Sequence, residues 1–249
     1  MGHISQLLNR TLVIVAHPDD ESVGAGLLLQ RMPESCVVFC TDGGPRDPYF
    51  WHAYVTRENY VFVRRQEAET ATKIAGVKRA VFFNFCDQEL HKNLRGALKQ
   101  LKELTRKFRP DALLTLAYEG GHPDHDSCAF LAYLVSSHSR LPVWEMPLYH
   151  RTSEGIRGQQ FLQPTSNLVL VRGTAGELKT KRSMLRAHVS QSQTLQGFDL
   201  KFEHFRPQAS YDFSNPPEAE VINYEAWQWP MTARDVCAAF APLLQDIKG

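Results

Sequence analysis

A short unbroken apolar run, Leu12-Val13-Ile14-Val15, breaks directly into Ala16-His17-Pro18-Asp19-Asp20-Glu21. A run of that length, bounded by turn residues, reads as a strand buried on both faces, the strand type of a parallel sheet. A histidine and three carboxylates therefore stand where a core strand ends and a helix begins. In open α/β sheets that edge, at the carboxyl ends of the strands, is where ligands bind. The arrangement recurs downstream, where Asp111-Ala112-Leu113-Leu114-Thr115-Leu116 runs into Gly120-Gly121-His122-Pro123-Asp124-His125. Two strand ends that each carry His and Asp beside a Pro point to one metal site built from two loops.

The same alternation fills the first two thirds of the chain. Strands are expected near 11–16, 36–41, 79–85, 111–117, 143–149 and 167–171, and helices near 20–32, 57–76, 91–108, 125–138 and 174–189. Such alternation argues an α/β fold, a Rossmann-like, mostly parallel sheet with helices on both faces. The length fits a single domain, 1–249, with a core over about 10–195 and an aromatic-rich C-terminal extension over 196–249. Residues 42–56, rich in Gly, Pro and aromatics, form a long loop beside a strand end and are a candidate substrate lid. Residues 198–230 read as an irregular aromatic wrap over the main sheet. Within it, Trp227 and Trp229 read first as packing and second as a stacking surface for a sugar. Thr232 is a candidate N-cap with Asp235 three residues on, and Val236, Phe240, Leu243, Leu244 and Ile247 give the closing helix one apolar stripe.

Bulk properties exclude several classes. The net charge of +1 argues against nucleic-acid binding or membrane-surface binding driven by charge. No apolar stretch approaches the roughly 18 residues of a spanning helix, and no export signal is visible, so a cytoplasmic location is expected. None of the five cysteines forms a CxxC pair. Cys36 and Cys40 would lie about 13 Å apart on one strand, too far to bridge, so buried reduced thiols are expected.

The metal reading rests on spacing. Pro18 stiffens the turn out of the strand. Asp19 and Asp20 are neighbours and point apart, which favours separate tasks. Positions 17 and 20 share a face in a first helical turn, so His17 and Asp20 are natural co-ligands, leaving Asp19 free. His125 from the second loop completes two imidazoles and one carboxylate, an open catalytic zinc arrangement. Each cluster alone also fits helix capping or loop histidines; only the pair of clusters at two strand ends points to a metal.

The segments Ala16 to Glu21 and His122 to His125 resemble the two signature motifs of the PIG-L/LmbE-like de-N-acetylases. Those enzymes deacetylate N-acetylglucosamine carried on phosphatidylinositol, inositol, malate or antibiotic aglycones. Arg64-x-x-Glu67 with Ala71 and Gly76-Val77 resembles the second helix of the family. Lys181 with His188-Val189-Ser190-Gln191 resembles its late helix, so the likeness spans roughly residues 10–195. It implies one Zn2+ per chain, with Fe2+ or another divalent ion as the alternative, held by His17, Asp20 and His125. It implies Asp19 as general base, and His122 as the cation that stabilises the oxyanion and protonates the leaving amine, with Asp124 holding its ring. Some members place a tyrosine two residues before the first histidine of the second motif; here that position is Gly120.

The resemblance therefore implies a hydrolase that releases acetate from an N-acetylated amino-sugar conjugate, a small molecule. Arg64 and Glu67 would line the sugar pocket or brace the first loop; a solvated helix face is the other reading. Lys181 and His188, two turns apart on one face, would line the pocket or pack at the core edge. Two His and one carboxylate also serve non-haem Fe(II) oxygenases, the competing enzyme class. A dinucleotide-binding role is disfavoured, because His-Pro-Asp-Asp stands where G-x-G-x-x-G would. Oligomeric state and the group attached to the sugar are not legible.

Overall fold

A computed structural model describes residues 4–163, 165–198 and 201–248. Its sheet is built on β1 (Thr11–Val15), β2 (Cys36–Thr41), β3 (Arg79–Phe85), β4 (Ala112–Leu116) and β5 (Val143–Met146), all parallel, in the order β3-β2-β1-β4-β5. Every residue of β1, β2 and β4 is buried, as continuous apolar runs require when helices cover both faces. The chain steps outward from β1 through β2 to β3, then returns to the far side of β1 for β4. The crevice between the carboxyl ends of β1 and β4 is thus the topological switch point. Both His-Pro-Asp segments fall there.

The crossover helices follow the sequence pattern. They are α1 (Asp20–Ala25), α2 (Arg57–Ile74), α3 (Leu94–Phe108) and α4 (Pro123–Ser139). On α3 the buried residues Leu94, Ala97, Leu98 and Leu101 make one stripe. The helix α4 is buried on most of its surface, because α7 (below) covers the face turned from the sheet. Cys36, Cys40, Cys128 and Cys237 are buried free thiols and Cys86 is half-buried. Among the described residues, no helix is long and apolar enough to cross a membrane.

Three expectations are corrected. First, the strand expected over 143–149 ends at Met146, and the chain enters a separate hairpin, β6 (Tyr149–Thr152) with β7 (Gly155–Gly158). Second, the segment expected as an irregular wrap contains a true strand. After β8 (Val169–Arg172) and α5 (Ala175–Ala187), β9 (Phe202–Pro207) enters the sheet antiparallel between β5 and β8. Its inward face carries Glu203 beside Phe205, which hides the apolar alternation. The chain then forms α6 (Asn223–Ala226) and α7 (Ala233–Lys248). The Thr232–Asp235 cap is present as expected, and Phe240 of α7 stacks on Phe130 of α4 at 4.2 Å.

Third, the helix expected over 20–32 stops at Ala25. The N–H groups of Leu27 and Leu28 donate to the Glu203 carboxylate (2.7 and 3.0 Å), and Lys181 Nζ donates to the Val23 carbonyl (2.9 Å) and to Glu203 (2.6 Å). A buried ion pair thus takes over the hydrogen bonds that would have continued the helix. Lys181 is 0% exposed. Removing one partner of such a pair leaves an uncompensated charge, so Lys181→Met is expected to lower unfolding free energy by roughly 3–5 kcal/mol. Urea denaturation measures this, and a loss below about 1 kcal/mol would show that the pair does not anchor the end of α1.

Candidate metal centre

The turn out of β1 is tight. Asp19 has φ of 143°, a region that non-glycine residues rarely occupy. Arg64 holds it there. Its guanidinium donates to the Pro18 carbonyl (2.7 Å), the Asp19 carboxylate (3.0 Å) and the Gly43 carbonyl at the end of β2 (2.6 Å). Gly43 has φ of +68°, and a Cβ there would sit 2.8 Å from both Arg64 and Pro18. Glycine is therefore what lets the two strand ends close on the arginine.

Asp20 opens α1 with its Oδ2 accepting from the backbone of Ala16 (3.1 Å) and His17 (2.8 Å). Its Oδ1 lies 3.3 Å from His125 Nε2. His17 Nδ1 lies 3.2 Å from the same nitrogen and 3.6 Å from Asp20 Oδ2. A tetrahedral ion with bonds near 2.1 Å holds its ligand atoms about 3.4 Å apart. The His17–His125 and Asp20 Oδ1–His125 separations lie close to that value, so the donor set fits a divalent cation. On its other side, His17 Nε2 lies 3.2 Å from Asp124 Oδ2, the carboxylate contact that commonly orients a metal-ligating imidazole.

Two overlapping groups of candidate ligands are His17 with His122 and His125, and His17 with Asp87, His122 and Asp124. The set with Asp20 brings a carboxylate that the first of these lacks, and one less committed than that of the second. Both Asp124 oxygens already accept backbone N–H groups, from Gln88 (2.6 Å) and Leu90 (3.0 Å), whereas Asp20 Oδ1 faces His125.

Electrostatics separate the two adjacent aspartates. Burial lifts the Asp19 carboxyl to about 6, with Arg64 pulling against it. Burial also opposes ionisation of Asp20, but His125 and His17 outweigh it and hold that carboxyl well below its ordinary range. Burial works against a charged His17, yet Asp87 and Asp20 raise it above the usual histidine range. Burial and the neighbouring His17 hold His122 well below that range.

The surroundings of His122 differ from expectation. Its Nδ1 accepts the backbone N–H of Asp124 (3.1 Å), capping α4, while the Asp124 carboxylate lies 3.9 Å away and is engaged by His17 and the 88–90 backbone. The carboxylate facing His122 is Asp87, whose Oδ1 is 3.5 Å from His122 Nε2 and 3.2 Å from His17 Nε2. Asp87 was missed because it stands alone after β3. Its one sequence signal is position, since it too follows a core strand.

His17, Asp19, Asp20, Arg64, His122 and His125 all line one cavity of about 800 Å³. Three expected substrate residues do not line it. Lys181 is consumed by Glu203. His188 is buried behind the first loop, with Nε2 at 3.1 Å from Ser22 Oγ and 3.3 Å from Glu21. Glu67 accepts from Ser190 N (2.8 Å) and Oγ (2.6 Å), and so places the neighbouring Gln191, which does line the cavity. Two side chains the motifs do not point to also reach in. Tyr149 stacks edge-on to His125 at 5.4 Å, and its hydroxyl has no partner among the described residues. Trp229 meets His122 edge-on at 5.0 Å. Trp227 and Trp229 thus both line the cavity, and Trp229 also packs against the core. Asn223 ties them to the second loop, donating to the carbonyls of Gly120 (backbone, 2.9 Å) and Gly121 (side chain, 3.0 Å).

A diacetylchitobiose deacetylase of Thermococcus kodakarensis is 31% identical over 145 residues, 54% of this chain and 52% of that protein. The chain thus spans about half the length of that relative. A probable N-acetyl-alpha-D-glucosaminyl L-malate deacetylase 2 of Bacillus cereus is 25% identical over 195 residues, 74% of this chain and 84% of that one. Among solved structures, an N,N'-diacetylchitobiose deacetylase from Pyrococcus horikoshii superposes with a TM-score of 0.57 at 25% identity, covering 79% of this chain and 82% of that one. A deacetylase of teicoplanin biosynthesis has the same fold, with a TM-score of 0.66 at 17% identity over 82% of this chain and 99% of that one. Residues 12–136 match the family model described as PIG-L, GlcNAc-PI de-N-acetylase, and with half its length inside that match the chain belongs to the PIG-L family.

Proposed function

We propose that this protein is a zinc-dependent hydrolase that removes the acetyl group from an N-acetylglucosamine-type conjugate, releasing acetate and a free amine. The observation that carries the reading is the convergence of His17 Nδ1, His125 Nε2 and Asp20 at 3.2–3.6 Å, beside a carboxylate lifted to about 6. Family membership supplies the amide substrate class.

His17, Asp20 and His125 would hold the zinc, which would supply a water acidified toward neutrality and a Lewis acid for the acetamide oxygen. The remaining work belongs to the chain. Asp19, fixed by Arg64 beside the ligand set, is placed to accept a proton from that water. His122 carries its cavity-facing proton on Nε2, because Nδ1 accepts the Asp124 backbone N–H. In that tautomer it donates a hydrogen bond toward the developing oxyanion, with Asp87 Oδ1 3.5 Å from the same nitrogen. The proton for the leaving nitrogen is the one that Asp19 takes from water, which returns the carboxylate to its starting state. Asp124 fixes the tautomer of His17 rather than that of His122. The role that a tyrosine before the second motif fills in some relatives falls here to Tyr149, which reaches the cluster from β6.

The role split is tested by pairing metal analysis with acetate release from N-acetylglucosamine conjugates. His125→Ala is expected to lose both metal and activity. Asp19→Asn is expected to keep one equivalent of zinc while turnover falls by about 10²–10⁴. Loss of metal from Asp19→Asn contradicts the division of labour between the adjacent aspartates, and strict dependence on O₂ removes the hydrolase reading altogether.

Tyr149→Phe tests the oxyanion role separately. Deleting a donor of this kind is expected to lower kcat by about 10²-fold with little change in KM. An unchanged kcat assigns Tyr149 to packing against His125.

A further inference from the structure

The cavity is larger than its chemistry needs. About 800 Å³ lies toward the upper end of the roughly 300–1,000 Å³ that holds drug-sized ligands, and one pyranose with its acetamide leaves much of it unfilled. The outer part must receive whatever the amino sugar is attached to.

That outer part has a directional aromatic lining. Trp229 touches His122 at 5.0 Å, Trp227 lies 5.1 Å farther on, and Phe50 packs edge-on to Trp229 at 6.5 Å with Tyr49 beyond it at 5.4 Å. Exposure is high toward the mouth, with Phe50 at 36%, Trp227 at 39% and Tyr49 at 76%. The strip joins the 42–56 loop to the segment after α6, two stretches far apart in sequence. Rigid ring faces left open to solvent beside a reacting centre are stacking surfaces for a ligand ring.

The rim charges point the same way. Glu89 accepts both Arg46 (2.8 and 2.9 Å) and Lys92 (3.2 Å). Asp47 accepts the N–H of Tyr49 within its own turn (2.9 Å). Two cations and two carboxylates therefore balance, and Arg64 at the floor is committed to Asp19. Among the described lining residues, each guanidinium or ammonium group already has a carboxylate. A phosphate or carboxylate on the acceptor would have to compete with Glu89 for Arg46 and Lys92.

We propose, resting on the de-N-acetylase reading above, that this strip is an acceptor subsite for an uncharged ring, so that the substrate is a neutral glycoside bearing a second sugar or an aryl group rather than an anionic conjugate. Trp227 is its outer platform and a specificity-determining residue.

The test compares kcat/KM of the metal-loaded chain on free N-acetylglucosamine, its β1,4-linked disaccharide, its β-phenyl glycoside and its 1-phosphate. The disaccharide or the phenyl glycoside is expected to exceed the free sugar at least tenfold, and the phosphate to show no gain. Trp227→Ala should remove that gain and Trp227→Phe should restore part of it. A gain confined to the disaccharide identifies the ring as a sugar; one confined to the phenyl glycoside identifies it as aryl. Equal values for all four, or a gain with the phosphate, overturn the proposal while leaving the deacetylase reading intact. Quenching of tryptophan fluorescence by the same glycosides in chelator-treated protein separates the two ideas. Quenching that depends on Trp227, without acetate release from any probe, keeps the subsite and removes the deacetylase; neither quenching nor release overturns both.

Discussion

Two imidazole nitrogens face each other at 3.2 Å inside this protein, with carboxylates packed on either side. Such a cluster is expensive to bury unless every charge has a partner or a cation enters. Much of the surrounding structure serves that need. Asp20 is held by two backbone N–H groups, Asp124 by two more, and Asp19 by Arg64. Among the described residues, His125 Nδ1 and Asp87 Oδ1 have no hydrogen-bond partner. The facing nitrogens of His17 and His125 and the Asp20 oxygen beside them are the atoms that a cation would satisfy.

The switch-point topology makes the cluster possible. Side chains 105 residues apart in sequence, His17 and His122, come to a ring separation of 4.3 Å because β1 and β4 are neighbours. Arg64 then links a third element, locking the ends of β1 and β2 with one guanidinium. The unusual backbone at Asp19 follows from that lock: its carboxylate is aimed away from Asp20 and toward the cavity. Adjacent residues acquire opposite electrostatic character, one carboxyl lifted by burial and the other held down by two histidines.

The lower shell and the outer shell of the site have different origins. The floor comes from loops that follow core strands. The walls come from the 42–56 loop, the β6 hairpin and the segment after α6, all outside the regular strand–helix alternation. Gly121 shows how closely these layers meet, since a Cβ there would lie 2.0 Å from the Tyr149 carbonyl oxygen. Chemistry and acceptor recognition can therefore vary independently in this architecture, as is common where loops carry function on a rigid sheet.

The sequence by itself determined the parallel sheet and the placing of His17, Asp20 and His125 at two strand ends. Apolar runs and the turn residues that stop them are local signals, and the His-Pro-Asp spacing is local too. Tertiary structure alone decided that Asp87, Tyr149, Trp227 and Trp229 converge on one cavity, because none of them sits in a motif that marks it locally. It also reassigned Lys181, His188 and Glu67, whose polarity reads as pocket lining but is consumed by Glu203, by Glu21 and Ser22, and by Ser190. A buried polar residue and a ligand-binding one look alike in sequence; only the identity of the partner atom, which depends on chain-distant packing, tells them apart.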